Sequence, residues 1–200
     1  MRQNLAIMAA TPSTMLALRT PAPDFSLPEA VTGRLFSLAD FSQDRALLVM
    51  FICNHCPFVV HVRDELTRLA ADVSSRGVGV VAINANDVEG YPQDGPFEMK
   101  KLVGKLGWKF PYLFDATQET AKAYRAACTP DYFLFDAARE LAYRGQLDPS
   151  RPGNGVPVTG KDLRAAIHAV LSGEPVSPEQ KPSIGCNIKW KASEAPGYLR

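Results

Sequence analysis

The sequence predicts an α/β fold in which a central mixed sheet is flanked by helices. Two continuous apolar runs, residues 46–52 and 78–83, have the composition of strands that are buried on both faces. Residues 57–75 lie between them and carry apolar side chains at helical spacing. Strand, helix and strand form a βαβ unit, so the two strands are expected to lie parallel in one sheet.

Weaker patterns precede the first buried strand. Residues 1–20 are expected to form a poorly ordered or loosely packed lead, because Pro12 within them and Pro21 and Pro23 just after them interrupt any period, with ordered structure beginning near Asp24. Residues 25–27 and 34–38 alternate apolar with polar or small side chains on either side of a Thr-Gly pair. This pattern predicts a short N-terminal hairpin that caps the main sheet.

The remaining elements follow the second buried strand. Residues 86–96 contain several Gly and Pro residues and are expected to form a solvated loop at the carboxyl end of that strand. Further elements are then predicted in order: a helix at 97–106, an apolar segment at 110–115, a helix at 118–127, a hairpin from 132–135 and 141–144, and a helix at 161–171. Residues 173–200 are predicted to dock on the body as a C-terminal extension, because 184–190 is too apolar for a solvated tail.

Length and charge limit the classes of protein that fit this chain. Its 200 residues suffice for one core, so one domain over residues 21–172 is expected, with the lead and the extension attached. The 22 basic and 21 acidic residues nearly cancel, and no basic block suggests a nucleic-acid partner. No apolar stretch predicts a membrane span, and the N-terminus is too weakly apolar for a secretory signal.

The most informative motif is Cys53-Asn54-His55-Cys56-Pro57, at the junction of the first buried strand and the helix. Four cysteines are too few for a disulfide scaffold, so the cytoplasm is the expected location. In a reducing compartment a Cys-x-x-Cys pair is more often redox-active or metal-binding than structural. The free N–H groups and the dipole at a helix N-terminus can lower a thiol pKa from about 8.5 to roughly 3.5–7.5.

Pro57 indicates which thiol attacks. Proline favours the first helical position, which places Cys56 at the N-cap and leaves Cys53 in the preceding turn. We therefore expect Cys56 to be the nucleophile and Cys53 to be the resolving thiol. A protonated His55 between them would favour the neighbouring thiolate, and an ordinary exposed turn histidine is the equal alternative.

Several segments resemble the thioredoxin superfamily over residues 21–172. The redox pair after a strand, the βαβ crossover and the Thr-Pro pair before an apolar strand are similar to that fold. A peroxiredoxin-like redoxin group, in the branch that also contains TlpA-like oxidoreductases, is suggested by segments 22–27, 56–58, 114–124, 129–136 and 183–186. The resemblance implies a thioredoxin-like fold, a cis bond before Pro130, and a Thr129 backbone that pairs with a substrate or partner chain as an added strand.

The leading function that this resemblance implies is thiol–disulfide exchange. Its substrates would be protein or small-molecule thiols and disulfides, with thioredoxin or glutathione as the reductant and no organic cofactor. A homodimer is an open alternative to a monomer.

The second hypothesis is a thiol peroxidase with antioxidant activity, in which Cys56 attacks a peroxide. Peroxiredoxins carry a Thr three residues before the attacking Cys and an Arg in the slot of Pro130, whereas this chain has Cys53 and Pro130 at those positions. Arg125 or Arg144 would have to supply the missing charge. Cys53, Cys128 or Cys186 would resolve the sulfenic acid at Cys56, and Cys128 and Cys186 are alternatively simple core residues.

The third hypothesis is a metal-binding chaperone. Cys53 and Cys56, together with His55 or His61, have the ligand atoms that copper and zinc prefer. Sco-like copper carriers have a related fold, but their cysteines lie further apart than the pair in this chain. We therefore expect no metal ligands as the leading interpretation.

Overall fold

The computed structural model describes residues 10–199, so residues 1–9 of the predicted lead lie outside the described range. The strands in that range are β1 (Ala10–Pro12), β2 (Ser26–Pro28), β3 (Leu35–Ser37), β4 (Ala46–Phe51), β5 (Val78–Asn84), β6 (Tyr112–Phe114), β7 (Cys128–Thr129), β8 (Asp131–Phe135), β9 (Leu141–Gly145) and β10 (Ile184–Asn187). The α-helices are α1 (Pro57–Ser74), α2 (Pro96–Leu106), α3 (Glu119–Ala123) and α4 (Lys161–Ser172).

A five-stranded mixed sheet forms the centre, in the order β6-β5-β4-β8-β9. Strands β4, β5 and β6 run parallel, β8 runs antiparallel to β4, and β9 runs antiparallel to β8. Every residue of β4, β5 and β8 is buried, as the apolar runs require. The predicted βαβ unit is confirmed, because α1 connects the two parallel strands.

Helices α1 and α4 pack on one face of this sheet. The buried stripe of α1 includes Val62, Leu66 and Leu69, and it joins Leu163 and Ile167 of α4 in one apolar cluster. Burying a Val, Leu or Ile side chain contributes about 1.5–3 kcal/mol relative to leaving it exposed. This packing fixes the N-terminus of α1 directly after the carboxyl end of β4.

The N-terminal region differs in part from expectation. The predicted hairpin is confirmed as β2 and β3, which form a separate two-stranded sheet. The expected disorder of the lead is wrong for residues 10–20, because β1 pairs with β10, and Leu16 and Leu18 pack against the core. Long-range pairing supplies the structure that the local prolines do not predict.

Two elements are shorter than their predicted ranges. The helix expected at 118–127 is only the five residues of α3, since Gln118 and Arg125 on either side have left-handed φ values of 67° and 50°. Strand β6 begins only after Pro111, which has no N–H to donate to a sheet. Helix α2 agrees with its prediction and ends at Gly107, where φ is 67°.

The C-terminal extension docks on the body as predicted. Strand β10 lies between β1 and β7 in a three-stranded sheet, and Ile188 is buried directly after it. The limits 21–172 and 173–200 remain predictions. Within residues 10–199, no helix combines the length and the apolar character that crossing a membrane requires.

Candidate redox active site

The Cys-x-x-Cys motif lies where the sequence places it, between the end of β4 and the start of α1. Cys56 is the N-cap of α1 with φ −60° and ψ 123°, and Pro57 occupies the first helical position. The predicted N-cap is thereby confirmed. Cys53 lies in the turn before the helix, and both thiols are buried.

Three sulfur atoms meet at this helix terminus. Cys56 Sγ lies 2.8 Å from Cys186 Sγ and donates a hydrogen bond to the Thr129 carbonyl at 3.0 Å. Cys53 Sγ lies 3.4 Å from Thr129 Oγ1. All four cysteines are free thiols, and these three are at most 2% exposed, so a local opening has to precede any reaction with solvent.

The neighbouring donors favour ionisation of Cys56 over that of the other thiols. The pKa of Cys56 is held well below its ordinary value, first by the Cys186 thiol and then by the Cys53 thiol, which donate hydrogen bonds to its sulfur. The Thr129 hydroxyl and the Val59 N–H act in the same direction, and burial opposes them. The Thr129 carbonyl also opposes ionisation, since it accepts a hydrogen bond only from the protonated thiol.

The other two thiols are shifted in the opposite direction. The hydrogen bond to Cys56, followed by burial, raises the pKa of both Cys53 and Cys186. The negative charge of Asp94 further raises the pKa of Cys53. These opposite shifts favour Cys56 as the thiol of the three that ionises first, with Cys53 and Cys186 protonated beside it.

Thr129 and Pro130 form the second side of the site. The predicted cis bond between them is confirmed. Thr129 is buried in β7, and Cys186 of β10 is its antiparallel partner. The edge at which the resemblance implied a partner strand is thus covered by the chain's own extension.

His55 makes a contact that the sequence did not predict. Its Nδ1 lies 2.6 Å from Oδ2 of the fully buried Asp94, and its ring stacks on Tyr91 with an interplanar angle of 8°. The two groups are in close contact, but the ring nitrogen makes no hydrogen bond of good geometry. Asp94 also accepts hydrogen bonds from the Asn54 N–H and the Asn86 amide.

Asp94 is the functional candidate that the sequence analysis missed. The expectation that the loop at 86–96 is solvated is wrong for Asp94, whose buried side chain accepts hydrogen bonds from Asn86, just after β5, and from the motif loop. Its only signal in the sequence was an acidic residue in a loop at the carboxyl end of a parallel strand.

The predicted ligand set for a metal does not form as expected. Cys53, His55 and Asp94 bring their ligand atoms within 4.8 Å of one another, and Cys56 is not in this group. His61 is directed elsewhere, since its Nε2 lies 2.7 Å from Ser150 Oγ. The trio offers atoms that zinc accepts, but both Asp94 oxygens already accept N–H hydrogen bonds, so the fit to an ion is poor.

The other sequence candidates are engaged away from the three thiols. The Cys128 thiol donates to the Pro130 carbonyl at 3.6 Å, and burial raises its pKa. Arg144 donates to the Leu16 carbonyl and to Gln180, and the Arg125 guanidinium lies 5.0 Å from the ring centre of Tyr198. These contacts do not favour either arginine as the charge that activates a peroxide at Cys56.

A sequence model of the Redoxin family matches residues 18–163. An uncharacterised conserved protein from Geobacillus kaustophilus is 56% identical, with a TM-score of 0.91 over 93% of this chain and 98% of that one. A hypothetical protein from Sinorhizobium meliloti is 54% identical, with a TM-score of 0.90 over 92% of this chain and 100% of that one.

A more distant structure shows the fold alone. A thiol:disulfide interchange protein of the thioredoxin family from Chlorobium tepidum is 22% identical, with a TM-score of 0.60 over 78% of this chain and 98% of that one. The predicted thioredoxin-like fold is confirmed by this likeness. No curated protein gives a significant match to the sequence.

Proposed function

The chain belongs to the Redoxin family, and on that premise we propose that it is a thiol–disulfide oxidoreductase in which Cys56 attacks and Cys53 resolves. The observation that carries this proposal is the position of Cys56 Sγ. It lies at the N-cap of α1, next to the Thr129 carbonyl, with protonated thiols beside it that stabilise the thiolate. Of the buried thiols, Cys56 alone has its pKa lowered.

The proposed reaction conserves atoms and electrons with the protein's own sulfurs. The Cys56 thiolate attacks one sulfur of a substrate disulfide, whose S–S bond breaks and releases one substrate thiolate that takes a proton. Cys53 then loses its proton and attacks Cys56 Sγ, which releases the second substrate thiol and forms a Cys53–Cys56 disulfide. An external thiol reductant, thioredoxin or glutathione, returns both cysteines to thiols, so no organic cofactor is required.

The proposed compartment and assembly are inferred from the redox chemistry and not from a contact in the structure. A reducing compartment is needed to regenerate the thiols, and the cytoplasm is the compartment that we propose. The reaction requires one chain, and a homodimer remains an alternative assembly.

A thiol peroxidase is the second candidate, and one observation favours it. Cys186 Sγ lies 2.8 Å from Cys56 Sγ, within reach of condensing with a sulfenic acid formed there. Against it, Arg125 and Arg144 are engaged elsewhere. Thiol–disulfide exchange therefore remains the leading function.

Parallel assays on single cysteine variants test the proposal. Disulfide reduction and peroxide consumption are measured for the wild type and for Cys56→Ser, Cys53→Ser and Cys128→Ser. We expect disulfide reduction to vanish in Cys56→Ser, to stop after a single turnover in Cys53→Ser, and to continue in Cys128→Ser, the matched control with another buried thiol. Wild-type activity in Cys56→Ser would contradict the proposal, and peroxide turnover that exceeds disulfide turnover would promote the second candidate.

A further inference from the structure

The docked extension fills the edge of β7 next to Pro130. Strand β10 pairs antiparallel with β7, with Cys186 opposite Thr129 and Asn187 opposite Cys128. The pairing places the Cys186 sulfur against Cys56 from the side on which an added strand would have to lie.

Gly185 shows how closely the two backbones approach. A Cβ atom at this position would overlap the Thr129 carbonyl and lie 3.0 Å from the Pro130 nitrogen. Both atoms belong to the backbone, so neither can rotate away. Only glycine allows β10 to lie this close, and the contact is therefore specific to residues 184–187.

Further contacts hold β10 in place on both sides. On one side it pairs with β1, and at its start the Ser183 hydroxyl donates to the Pro130 carbonyl at 2.6 Å. After the strand, the Ile188 N–H donates to the Ala127 carbonyl at 3.1 Å, and the Lys189 N–H donates to Asn86 at 2.9 Å. Because these contacts come from several elements, removing the strand costs far more than a local opening that admits a small molecule.

The space beside the site is also small. A cleft lined by Phe58, Pro130 and Ile184, among others, has a volume of about 10 Å³, about the space of one water molecule. Pockets for drug-sized ligands usually measure about 300–1,000 Å³. The closed site therefore has no room for an extended polypeptide, and a small molecule needs less opening of the site than a polypeptide does.

We propose that Cys186 is a third exchange thiol, which receives the disulfide from Cys56 before Cys53 does, and that the substrate is a low-molecular-weight disulfide. This inference rests on the proposed function and specifies its order and substrate class. With β10 in place, a polypeptide cannot pair with Thr129, and the thiol that faces Cys56 across that pairing belongs to the chain itself.

The proposed reaction proceeds through three thiol–disulfide exchanges. Cys56 thiolate attacks the small disulfide, whose S–S bond breaks, and one small thiol leaves. Cys186 loses its proton and attacks Cys56 Sγ, which forms a Cys56–Cys186 bond and releases the second small thiol with that proton. Cys53 then attacks Cys56 Sγ, and its proton passes to the departing Cys186 sulfur, which leaves a Cys53–Cys56 disulfide for the external thiol reductant.

The Sγ–Sγ distance is compatible with this order. A disulfide has an S–S length of about 2.05 Å, so the 2.8 Å separation of Cys56 and Cys186 needs only a small shift of the two side chains. The Cys128 thiol instead contacts the Pro130 carbonyl, and it serves as a control that shares burial but not position.

The experiment blocks the last step and counts the small thiols that are released. Reduced Cys53→Ser protein is mixed with a chromogenic aromatic disulfide, and bound and released thiols are measured by absorbance and by peptide mapping. We expect two small thiols released per protein and a Cys56–Cys186 disulfide. The Cys53→Ser/Cys128→Ser control is expected to behave in the same way, whereas Cys53→Ser/Cys186→Ser is expected to release one thiol and retain a mixed disulfide on Cys56.

Two results would overturn the inference. One is a stable mixed disulfide on Cys56 in Cys53→Ser, with only one thiol released. The other is wild-type reduction of insulin, a polypeptide disulfide, as fast as that of the small disulfide. Either result leaves the proposed function intact as long as Cys56→Ser is inactive, because that function fails only when Cys56 itself proves dispensable.

Discussion

Cys56 has two sulfur neighbours that reach it by different routes. Cys53 is three residues away and is positioned by the turn between β4 and α1. Cys186 is 130 residues away and is positioned by the pairing of β10 with β7. The first neighbour is set by local chain geometry and the second by the docking of a separate segment, so substitutions can address them independently.

The largest effect is expected on the Cys186 side, from Gly185→Ala. The added methyl group collides with the Thr129 carbonyl, so β10 has to move and the protein loses about 1–3 kcal/mol of stability. We expect a lower midpoint in thermal unfolding and faster alkylation of Cys56 in the native protein. Gly197→Ala is the matched control in the same extension, because a Cβ there meets no atom within 4 Å. Equal stability and reactivity of the two variants would show that β10 is not closely packed against β7.

The second prediction compares the two neighbours directly. Donation from Cys186 contributes more than donation from Cys53 to the low pKa of Cys56. Cys186→Ala is therefore expected to raise the pKa of Cys56 more than Cys53→Ala does, and Cys186→Ser is expected to raise it less than Cys186→Ala, since serine retains a donor. The measurement is the alkylation rate of Cys56 as a function of pH. A larger shift from Cys53→Ala would reverse the assignment of the stronger neighbour.

A third prediction concerns the Cys53 side, where Asp94→Asn removes a buried charge. The charge of Asp94 raises the pKa of Cys53, so its loss is expected to lower that pKa and let Cys53 react at lower pH. The variant also disturbs the buried hydrogen bonds that the Asp94 carboxylate accepts from Asn54 and Asn86, at a cost of about 1–3 kcal/mol. Alkylation of Cys53 against pH, in a background with serine at 56 and 186, measures the first effect. Asp87→Asn in the same loop is the control, and an unchanged Cys53 profile in Asp94→Asn would contradict the role of the carboxylate.

The lowered pKa of Cys56 predicts how the free energy of unfolding changes with pH. Its pKa is lowered on folding, so the folded state favours the thiolate, and this contribution is fully present above the unfolded pKa of about 8.5. The contribution declines as pH falls below that value toward the folded pKa. Unfolding of the reduced wild type, compared with Cys56→Ser between pH 9 and pH 5, is expected to show the extra loss in the wild type alone. Parallel curves would indicate that Cys56 is protonated in the folded protein.

The smallest effect is expected for metal ions. Because the Asp94 oxygens are already engaged, zinc added to the reduced protein should bind weakly and be removed by dialysis. His55→Ala tests any residual binding, with His61→Ala as the control that leaves the trio intact. Stoichiometric zinc that survives dialysis would favour the chaperone hypothesis.

The surroundings of Cys53 could be predicted from the sequence, whereas the long-range pairing that brings Cys186 to Cys56 could not. The apolar runs of β4 and β5, the periodicity of α1 and the proline at its first position are local signals, and they correctly placed Cys56 at the N-cap. The partners of β10 could not be predicted, because four residues with sequence Ile-Gly-Cys-Asn have no alternating pattern, and their position depends on contacts with distant β1 and β7.

Asp94 and the N-terminal lead were missed for a related reason. Burial of the Asp94 carboxylate depends on donors from the motif loop and from Asn86, and no local pattern distinguishes it from the exposed acids of the same loop. Within the described part of the lead, residues 10–12 pair with β10, and the local prolines give no sign of this pairing. Thr129 and Pro130 were placed through the resemblance to the thioredoxin superfamily rather than through their own pattern.

The most direct test of the central claim is competitive alkylation of the fully reduced protein at mildly acidic pH. Limited labelling with iodoacetamide, followed by peptide mapping, reports which of the cysteines reacts first. The account predicts that Cys56 is labelled first and that Cys53, Cys128 and Cys186 follow only at higher pH. Preferential labelling of Cys53 would contradict the assignment of Cys56 as the nucleophile.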